Sequence, residues 1–264
     1  MPNRITSRQN PIVARYRAVA RGDVDGLMLL DGAHLVHDAL AAGLAIEHAA
    51  TDAAAGDRDE IRRLVASLQA RGVETVTATA PVMGAISPVR SASAIVAIAR
   101  RPERDINDLY RGSAPLVVIA SDIQDPGNLG AIVRVAEAGG ASSVLAAGVS
   151  ADPFGWKALR GSMGSALRLP IDRVDDVSLA AAEARTRGCR IVATVPRDGR
   201  SLFDVNLRAA TAVLIGGEGP GLPEALISAA DERVTIPMEA PVESLNAAVT
   251  AALVVYEARR QRQR

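Results

Sequence analysis

The chain has 264 residues, 48% of them hydrophobic, and its 30 Lys and Arg residues balance 30 Asp and Glu residues. This length and apolar content suffice to bury more than one core, while a formal net charge of zero gives no general indication of a nucleic-acid partner. No apolar run reaches the roughly 18 to 20 residues that span a membrane, and the first residues lack a signal-peptide core, so we expect a cytoplasmic protein without membrane association.

The composition also limits disulfide and metal chemistry. The only cysteine, Cys189, excludes a disulfide within the chain. A zinc site built from Cys and His is not expected, and we predict no metal, because the only histidines are His34, His37 and His48.

Arginines are placed unevenly and concentrate at both ends of the sequence. Before the first acidic residue, Asp23, stand Arg4, Arg8, Arg15, Arg17 and Arg21. After Glu257 come Arg259, Arg260, Arg262 and Arg264. Basic segments of this kind are usually solvated helix faces, but an arginine-rich amphipathic helix also contacts phosphates.

The first hundred residues predict a small α/β/α unit. Residues 8–21 place apolar side chains on one helical face and arginines on the other. Strand-length apolar runs then alternate with helical segments, two of which end at glycines. The predicted strands are 26–31, 44–49, 73–78 and 94–99, and the predicted helices are 8–21, 33–42, 57–71 and 81–86.

The stretch 101–113 combines charge, proline and glycine and is predicted to link two domains, 1–100 and 114–264. Beyond it, apolar strands alternate with helices, which predicts an α/β fold with a mostly parallel sheet covered by helices on both faces. The predicted strands are 115–120, 143–147, 190–195, 212–216 and 234–237, and the predicted helices are 129–139, 155–163, 178–187, 223–229 and 244–260.

Ligands of open parallel sheets bind where strands end, so the loops that follow strands are candidate sites. The loop after 115–120 contains Asp125-Pro-Gly-Asn128, which is typical of a turn, and Asn128 is the predicted N-cap of the next helix. Arg134, one to two turns into that helix, offers a planar fork for phosphate or carboxylate. An ordinary surface arginine fits the same pattern.

A second candidate loop follows 212–216 and is rich in glycine. Its sequence is Leu214-Ile-Gly-Gly-Glu-Gly-Pro-Gly-Leu222. The spacing does not match the dinucleotide-binding pattern G-x-G-x-x-G, and the chain has no P-loop motif. Glu218 at the centre of the loop is a poor neighbour for pyrophosphate, so the loop favours a nucleoside-like or positively charged ligand.

A third loop connects the strand 234–237 with the last predicted helix. Glu243 or Ser244 is the predicted N-cap, which would place Ser244 and Asn246 in the first turn, where free backbone N–H groups receive ligands. The helix body is nearly all apolar, so we expect it to be buried on most of its surface. An ordinary strand, loop and capped helix explains the same residues.

The three loops contain the motifs D-P-G-N-L-G-A-I-V-R-V-A, L-I-G-G-E-G-P-G-L and I-P-M-E-A-P-V-E-S-L-N, in this order and over about 120 residues. They resemble the signature motifs of the SpoU (TrmH-type) RNA 2′-O-ribose methyltransferases of the SPOUT superfamily. The N-terminal part, with N-P-I-V and L-L-D-G-A-H-L-V-H-D-A-L, is similar to a ribosomal-protein-like domain for RNA substrates that is often fused to them. Asp31-Gly32 stands there in place of the usual Glu-Gly.

The resemblance implies a catalytic domain with a deep trefoil knot and a homodimer with its active site near the subunit interface. It also implies S-adenosyl-L-methionine as the cofactor, bound bent in the knot. By motif position, the cofactor would contact Leu214, Gly216, Gly217, Ile236, Met238, Ser244 and Leu245. Arg134 would engage an RNA phosphate, and the residues that position the hydroxyl and ribose would be Asn128, Glu218, Ser244 and Asn246. We favour phosphate binding over base catalysis for the arginine, because a guanidinium stays protonated.

The implied reaction is methyl transfer to a ribose 2′-hydroxyl, and the extra N-terminal domain favours large-subunit ribosomal RNA as the substrate. Transfer RNA is the alternative within the family, and a few relatives methylate a base instead. Two other classes stay open: a non-catalytic RNA-binding or ribosome-assembly protein on this fold, and a dehydrogenase-like nucleotide enzyme. The intact motifs disfavour the first class, and the glycine spacing disfavours the second.

Overall fold

A computed structural model of the chain describes residues 4–56, 58–219 and 221–263. Three residues singled out by the sequence analysis lie outside the described residues: Asp57 in a predicted helix, Pro220 in the second motif and Arg264 in the basic end. The chain divides into two compact units, Met1–Glu103 with Phe154–Arg168, and Arg104–Pro153 with Leu169–Arg264. None of the described helices is long and apolar enough to cross a membrane.

Helices and strands alternate along most of the chain. The helices are α1 Pro11–Arg21, α2 Ala33–Ala41, α3 Asp59–Ala70, α4 Ala80–Ile86, α5 Ile106–Leu109, α6 Pro126–Gly139, α7 Trp156–Ser162, α8 Val177–Thr186, α9 Glu224–Ala229 and α10 Ala247–Arg262. The strands are β1 Arg4–Ile5, β2 Leu27–Asp31, β3 Ile46–Asp52, β4 Glu74–Ala78, β5 Ile95–Arg100, β6 Leu116–Ser121, β7 Ser143–Ala147, β8 Ile171–Val174, β9 Arg190–Thr194, β10 Arg200–Ser201, β11 Thr211–Gly216 and β12 Glu232–Thr235.

The first unit is a five-stranded sheet in the order β1-β4-β3-β5-β2. Strands β1, β4 and β3 run parallel, and β5 runs antiparallel to both of its neighbours. Helices α1 and α4 pack together on one sheet face, where Tyr16 and Met83 join a buried cluster with Val76 and Ile98. Helices α2 and α3 pack together and cover the other face. This arrangement agrees with the predicted α/β/α unit.

Residues Phe154–Arg168 group with the first unit, although the sequence analysis assigns them to the second domain. Helix α7 packs against β2, and the segment also makes ionic contacts within this unit. The guanidinium of Arg160 lies 3.4 Å from the buried carboxylate of Asp31, and that of Arg168 lies 2.9 Å from Asp38. The sequence pattern of residues 154–168 gives no sign of these partners, which are more than a hundred residues away.

The second unit is a parallel seven-stranded sheet in the order β10-β12-β9-β11-β6-β7-β8. Helix α8 covers one face with a cluster that includes Ile119 and Leu214. Helices α6 and α10 pack against each other, and they approach so closely that a Cβ atom on Gly139 would overlap with the side chain of Val255. The predicted mostly parallel sheet with helices on both faces is confirmed.

Several elements were not predicted because they are short and polar. Strands β1, β8 and β10 are edge strands of their sheets. No continuous apolar run marks them; in β8, for example, Asp172 and Arg173 are exposed. The predicted linker contains α5. Its start is fixed by Asp105, whose carboxylate accepts from the backbone N–H of Asn107 at 2.8 Å, and its Leu109 is buried.

Both helix starts near the motifs differ from the predictions. Helix α6 begins at Pro126, and its N-cap is Asp125 rather than Asn128, because the Asp125 carboxylate accepts from the backbone N–H of Asn128 at 2.8 Å. Helix α10 begins at Ala247, and its N-cap is Asn246 rather than Glu243 or Ser244. Most of this last helix is buried or partly buried, as expected, but its apolar residues Val249, Leu253 and Tyr256 are exposed.

Candidate active site

The second unit contains a cavity of about 450 Å³ at the carboxyl ends of β9, β11 and β12. Six of the seven residues predicted to hold the cofactor line it, namely Gly216, Gly217, Ile236, Met238, Ser244 and Leu245. The seventh, Leu214, does not. Its side chain is fully buried in the core beneath the sheet, and its carbonyl accepts a hydrogen bond from the Thr194 hydroxyl at 2.8 Å.

The glycine loop after β11 needs glycine because backbone approaches it closely from two sides. A Cβ atom on Gly217 would overlap with the carbonyl oxygen of Asp122, and one on Gly216 would lie 2.7 Å from the backbone nitrogen of Leu222. The loop folds back on itself, so that Gly217 and Gly221 form an isolated β-bridge. At Gly216 and Gly217 the cavity is therefore bounded by bare backbone.

The other walls of the cavity are mainly apolar. Ile236, Met238 and Leu245 are partly exposed and line its interior. Glu218 is the only ionisable side chain among the described lining residues. No group of three or more His, Cys, Asp or Glu side chains in the described parts of the chain is placed to hold a metal ion. This lining suits a ligand with an apolar part, hydroxyl groups and a positive charge.

A chain of hydrogen bonds joins the three motifs beside this cavity. Asn246 accepts from the backbone N–H groups of Ala248 and Val249 at 2.9 and 3.3 Å, and thereby caps α10. Its side-chain amide donates to the amide oxygen of Asn128 at 3.0 Å. The amide of Asn128 in turn donates to the carboxylate of Glu218. All donors point the same way, from the start of α10 to the carboxylate, so each amide has one preferred orientation.

Arg134 stands apart from this hydrogen-bonded chain. It follows Asn128 by six residues on α6, which places it about 9 Å further along the helix and about 120° around it. Its side chain is exposed and makes no hydrogen bond or ion pair with any described residue. Ser244, in contrast, lines the cavity two residues before Asn246. Four of the five predicted catalytic residues therefore gather around one cavity, and Arg134 does not within a single chain.

Two polar residues of the cavity were missed by the sequence analysis. Thr194 ends β9, the neighbour of β11 in the sheet, and so meets the same rule that selected the other loops. Thr250 lies one helical turn after Asn246 on α10 and lines the cavity from that helix. Thr194 could have been found from the sequence, because it lies at the end of a predicted strand. Thr250 could have been found only once the helix start at Asn246 is known, because it follows that residue by four positions.

Comparison with known proteins supports a single family. The sequence model of the SpoU rRNA Methylase family matches residues 115–256. The chain is 31% identical over 263 residues to slr1673 of Synechocystis, named an uncharacterized tRNA/rRNA methyltransferase, with 97% of this chain and 93% of that protein covered. It is 29% identical over 231 residues to the 23S rRNA (guanosine(2553)-2′-O)-methyltransferase RlmP of Bacillus subtilis, with 88% of each covered.

A solved structure gives the same result for the fold. The AdoMet-bound rRNA methyltransferase from Sinorhizobium meliloti superposes with a TM-score of 0.87 at 28% identity, covering 98% of this chain and 97% of that one. The family match extends over more than half of the chain and includes all three motifs. The chain therefore belongs to the SpoU rRNA methylase family.

Proposed function

We propose that this protein is an S-adenosylmethionine-dependent RNA methyltransferase that methylates a ribose 2′-hydroxyl in large-subunit ribosomal RNA. Membership of the family supports the reaction class, and the name of the Bacillus subtilis relative supports the acceptor atom and the RNA. The observation that carries the proposal is the hydrogen-bonded chain of Asn246, Asn128 and Glu218, which unites the three motifs at the edge of one cavity. A ribosomal RNA substrate also supports a cytoplasmic location.

The cavity fits S-adenosylmethionine in its chemistry. Ile236, Met238 and Leu245 would pack against the adenosine part, and the backbone of Gly216 and Gly217 would contact it without obstruction from side chains. When bound, S-adenosylmethionine supplies a methyl group on a positively charged sulfur. The carboxylate of Glu218 lies at the same cavity and favours a cationic ligand.

The hydrogen-bonded chain would hold the acceptor ribose. Amide and carboxylate groups of fixed orientation are suited to accept from and donate to ribose hydroxyls. Such positioning accounts for a large part of the acceleration of a displacement reaction, because it replaces a random encounter with an aligned one. Arg134 would bind an RNA phosphate through its planar guanidinium and so orient the nucleotide.

Because Arg134 lies away from the cavity of its own chain, we propose a homodimer in which it serves the cavity of the partner. Val249, Leu253 and Tyr256 form an exposed apolar stripe on α10, the helix that packs against α6. A two-fold contact that buries this stripe would use the same surface twice, as isologous dimers do. Each active site would then combine an arginine of one copy with the hydrogen-bonded chain of the other.

The experiment is methyl transfer from tritiated S-adenosylmethionine to deproteinised large-subunit ribosomal RNA, with total transfer RNA assayed in parallel. Alkali-resistant labelled dinucleotides identify a ribose product. Transfer RNA is the second candidate, since the name of the Synechocystis relative includes it. We expect label in ribosomal RNA; a protein that binds S-adenosylmethionine but labels neither RNA would support the non-catalytic alternative.

The shared site has its own test. Arg134→Ala should abolish methylation while it leaves the affinity for S-adenosylmethionine nearly unchanged, and Asn246→Asp should lower methylation by about a hundredfold. Mixed and re-equilibrated, the two variants should recover about a quarter of wild-type activity, because half of the dimers are mixed and each of these has one intact site. Loss of cofactor binding in Arg134→Ala would contradict the assigned role, and absence of recovery would contradict the sharing of the site.

A further inference from the structure

The two helical layers of the first unit differ sharply in charge. We call residues 4–22 and 79–94, which contain β1, α1 and α4, the basic layer. It holds no Asp or Glu, and it contains Arg8, Arg15, Arg17, Arg21 and Arg90. Arg4 on β1 is not counted with them, because Ile5 packs into the cluster under α1 and α4 and Arg4 therefore points to the other side of the sheet. The layer on the other side of the sheet, α2 and α3, contains three acidic residues, Asp38, Asp59 and Glu60, beside two arginines, Arg62 and Arg63. A chain with no net charge thus presents one strongly positive face on this unit.

Ion pairs neutralise only part of this charge. The guanidinium of Arg15 lies 2.5 Å from the carboxylate of Glu47, and that of Arg21 lies 2.6 Å from Asp23. Arg8 and Arg17 make no ion pair with any residue in 4–56, 58–219 or 221–263. Their charge is therefore available to a ligand.

Backbone carbonyls of α4 hold both of these free arginines in place. The Nε atom of Arg8 donates to the carbonyl oxygen of Pro81, and that of Arg17 donates to the carbonyl oxygen of Ala85, each at 2.9 Å. The two acceptors are four residues apart, so they lie about 6 Å apart along the helix. Because Nε is used for anchoring, the two terminal nitrogens of each guanidinium remain to bind an anion, and part of the side-chain entropy is already lost.

We infer that the basic layer binds the phosphate backbone of the RNA substrate, with Arg8 and Arg17 as two neighbouring phosphate contacts. The inference rests on the proposed function, because it takes RNA as the substrate. Contacts to phosphate give affinity and orientation without reading the base. The first unit would therefore hold the RNA in position and leave the choice of nucleotide to other contacts.

An anionic membrane is the other large polyanion that such a face could meet, but the surface disfavours it. Helices that lie on membranes insert large apolar side chains between the lipids. Of the large apolar residues of α1, Val13, Tyr16 and Val19 are buried against the sheet, and Ile12 is partly buried against the same cluster. None of the exposed large hydrophobic residues in the described chain belongs to the basic layer.

The test measures binding of a fluorescein-labelled stem–loop RNA of mixed sequence to the full-length protein, by anisotropy, over a series of salt concentrations. The double substitution Arg8→Gln with Arg17→Gln should weaken binding and reduce the slope of log affinity against log salt by about 2, one for each phosphate contact. Arg71→Gln is the matched control. Arg71 also donates to a backbone carbonyl, that of Leu40 at 2.8 Å, but it follows α3 on the other side of the sheet, and its loss should leave the slope unchanged.

A second variant offsets the positive charge of Arg17 and leaves the hydrogen bonds of Arg8 and Arg17 to α4 in place. Ala14→Glu places a carboxylate on the exposed face of α1, one turn before Arg17, where such a pair stabilises a helix slightly. It should reduce the salt slope by about 1 while the thermal midpoint stays at or above that of the wild type. Both variants should keep wild-type affinity for S-adenosylmethionine.

Wild-type RNA affinity and salt slope in both variants would overturn the inference. It would also be overturned if the variants bound RNA normally and lost only binding to phosphatidylserine vesicles, measured in parallel. Methylation of ribosomal RNA by the wild type is measured in parallel. If methylation occurs while the variants bind RNA normally, the inference fails and the proposed function stands. If the wild type neither binds nor methylates RNA, the proposed function is contradicted, and the inference that depends on it is contradicted as well.

Discussion

The side-chain amide of Asn246 donates to the amide oxygen of Asn128 at 3.0 Å, across 118 positions of sequence. This bond joins the cap of α10 to the first turn of α6. Because Asn128 also donates to Glu218, the orientation of each amide determines that of the next. A substitution at one end of this hydrogen-bonded chain is therefore expected to change the amide orientation at the other end.

Asn246→Asp should separate helix capping from hydrogen bonding. Asp caps helices about as well as Asn, so the thermal midpoint should stay close to that of the wild type. The donor to Asn128 is lost, and either orientation of the Asn128 amide then faces an oxygen, at position 246 or at Glu218. We expect methyl transfer to fall by about a hundredfold through misplacement of the ribose.

The control for this prediction is Asn246→Ala, which loses both the cap and the donor. Its unfolding free energy should decrease by about 1 kcal/mol, as for other lost N-caps. Full activity in Asn246→Asp would show that the bond to Asn128 is not needed for catalysis.

Leu245→Arg should block the cavity. The leucine side chain lines the interior, so a longer, charged side chain at this position would fill the space assigned to S-adenosylmethionine. Isothermal titration calorimetry should show saturable binding by the wild type and none by the variant. Val242→Arg is the matched control, because Val242 is 52% exposed in the same loop and does not line the cavity. Equal binding by Leu245→Arg would place the cofactor elsewhere.

Gly217→Ala should damage the loop that borders the cavity. The added methyl group would overlap with the carbonyl oxygen of Asp122, so backbone has to move. We expect a loss of about 1–3 kcal/mol in unfolding free energy, measured by urea denaturation, together with weaker cofactor binding. Gly84→Ala in α4 is the control: nothing lies within 4 Å of the added atom, and a helix gains about 0.5–1 kcal/mol from this exchange. A Gly217→Ala protein as stable as the wild type would contradict the crowding.

His48 should make the first unit sensitive to mild acid. Its ring is buried, with Nδ1 2.8 Å from the Tyr16 hydroxyl oxygen, and burial lowers the pKa of His48 below the usual value of 6.5. Between the lowered pKa and about 6.5 the unfolded chain binds more protons than the folded one, so the unfolding free energy falls as the pH drops through this range. Urea denaturation from pH 7 to 5 should show a shallower decline for His48→Gln than for the wild type. Equal slopes would refute the assignment.

The sequence predicts the central strands well and the edges poorly. Strands β6 and β11 were predicted within one residue of their observed bounds, because a strand covered on both faces is a continuous apolar run. Strand β8 contains exposed Asp172 and Arg173 and shows no such run. The observed N-caps, Asp125 and Asn246, lie within three residues of other capping residues, and only the folded backbone selects among them.

The candidate site also has parts that the sequence predicts and parts that it does not. The glycine loop and the loop before α10 follow predicted strands, so their place at one sheet edge could be predicted from sequence. Alternation along β11 sends the side chain of Leu214 into the core, which a motif position does not reveal. The separation of Arg134 from Asn128 depends on where α6 begins. The knot implied by the resemblance has no signature in periodicity at all.

The bond between Asn128 and Glu218 spans 90 positions, and that between Asn128 and Asn246 spans 118. Contacts between residues so far apart in the chain form slowly, since a long loop must close before they contribute any stability. We therefore expect the cavity wall that α10 contributes to be completed late in folding, after the helices have formed. In a refolding experiment, the circular dichroism signal of the helices should recover first, and the capacity to bind S-adenosylmethionine should return last.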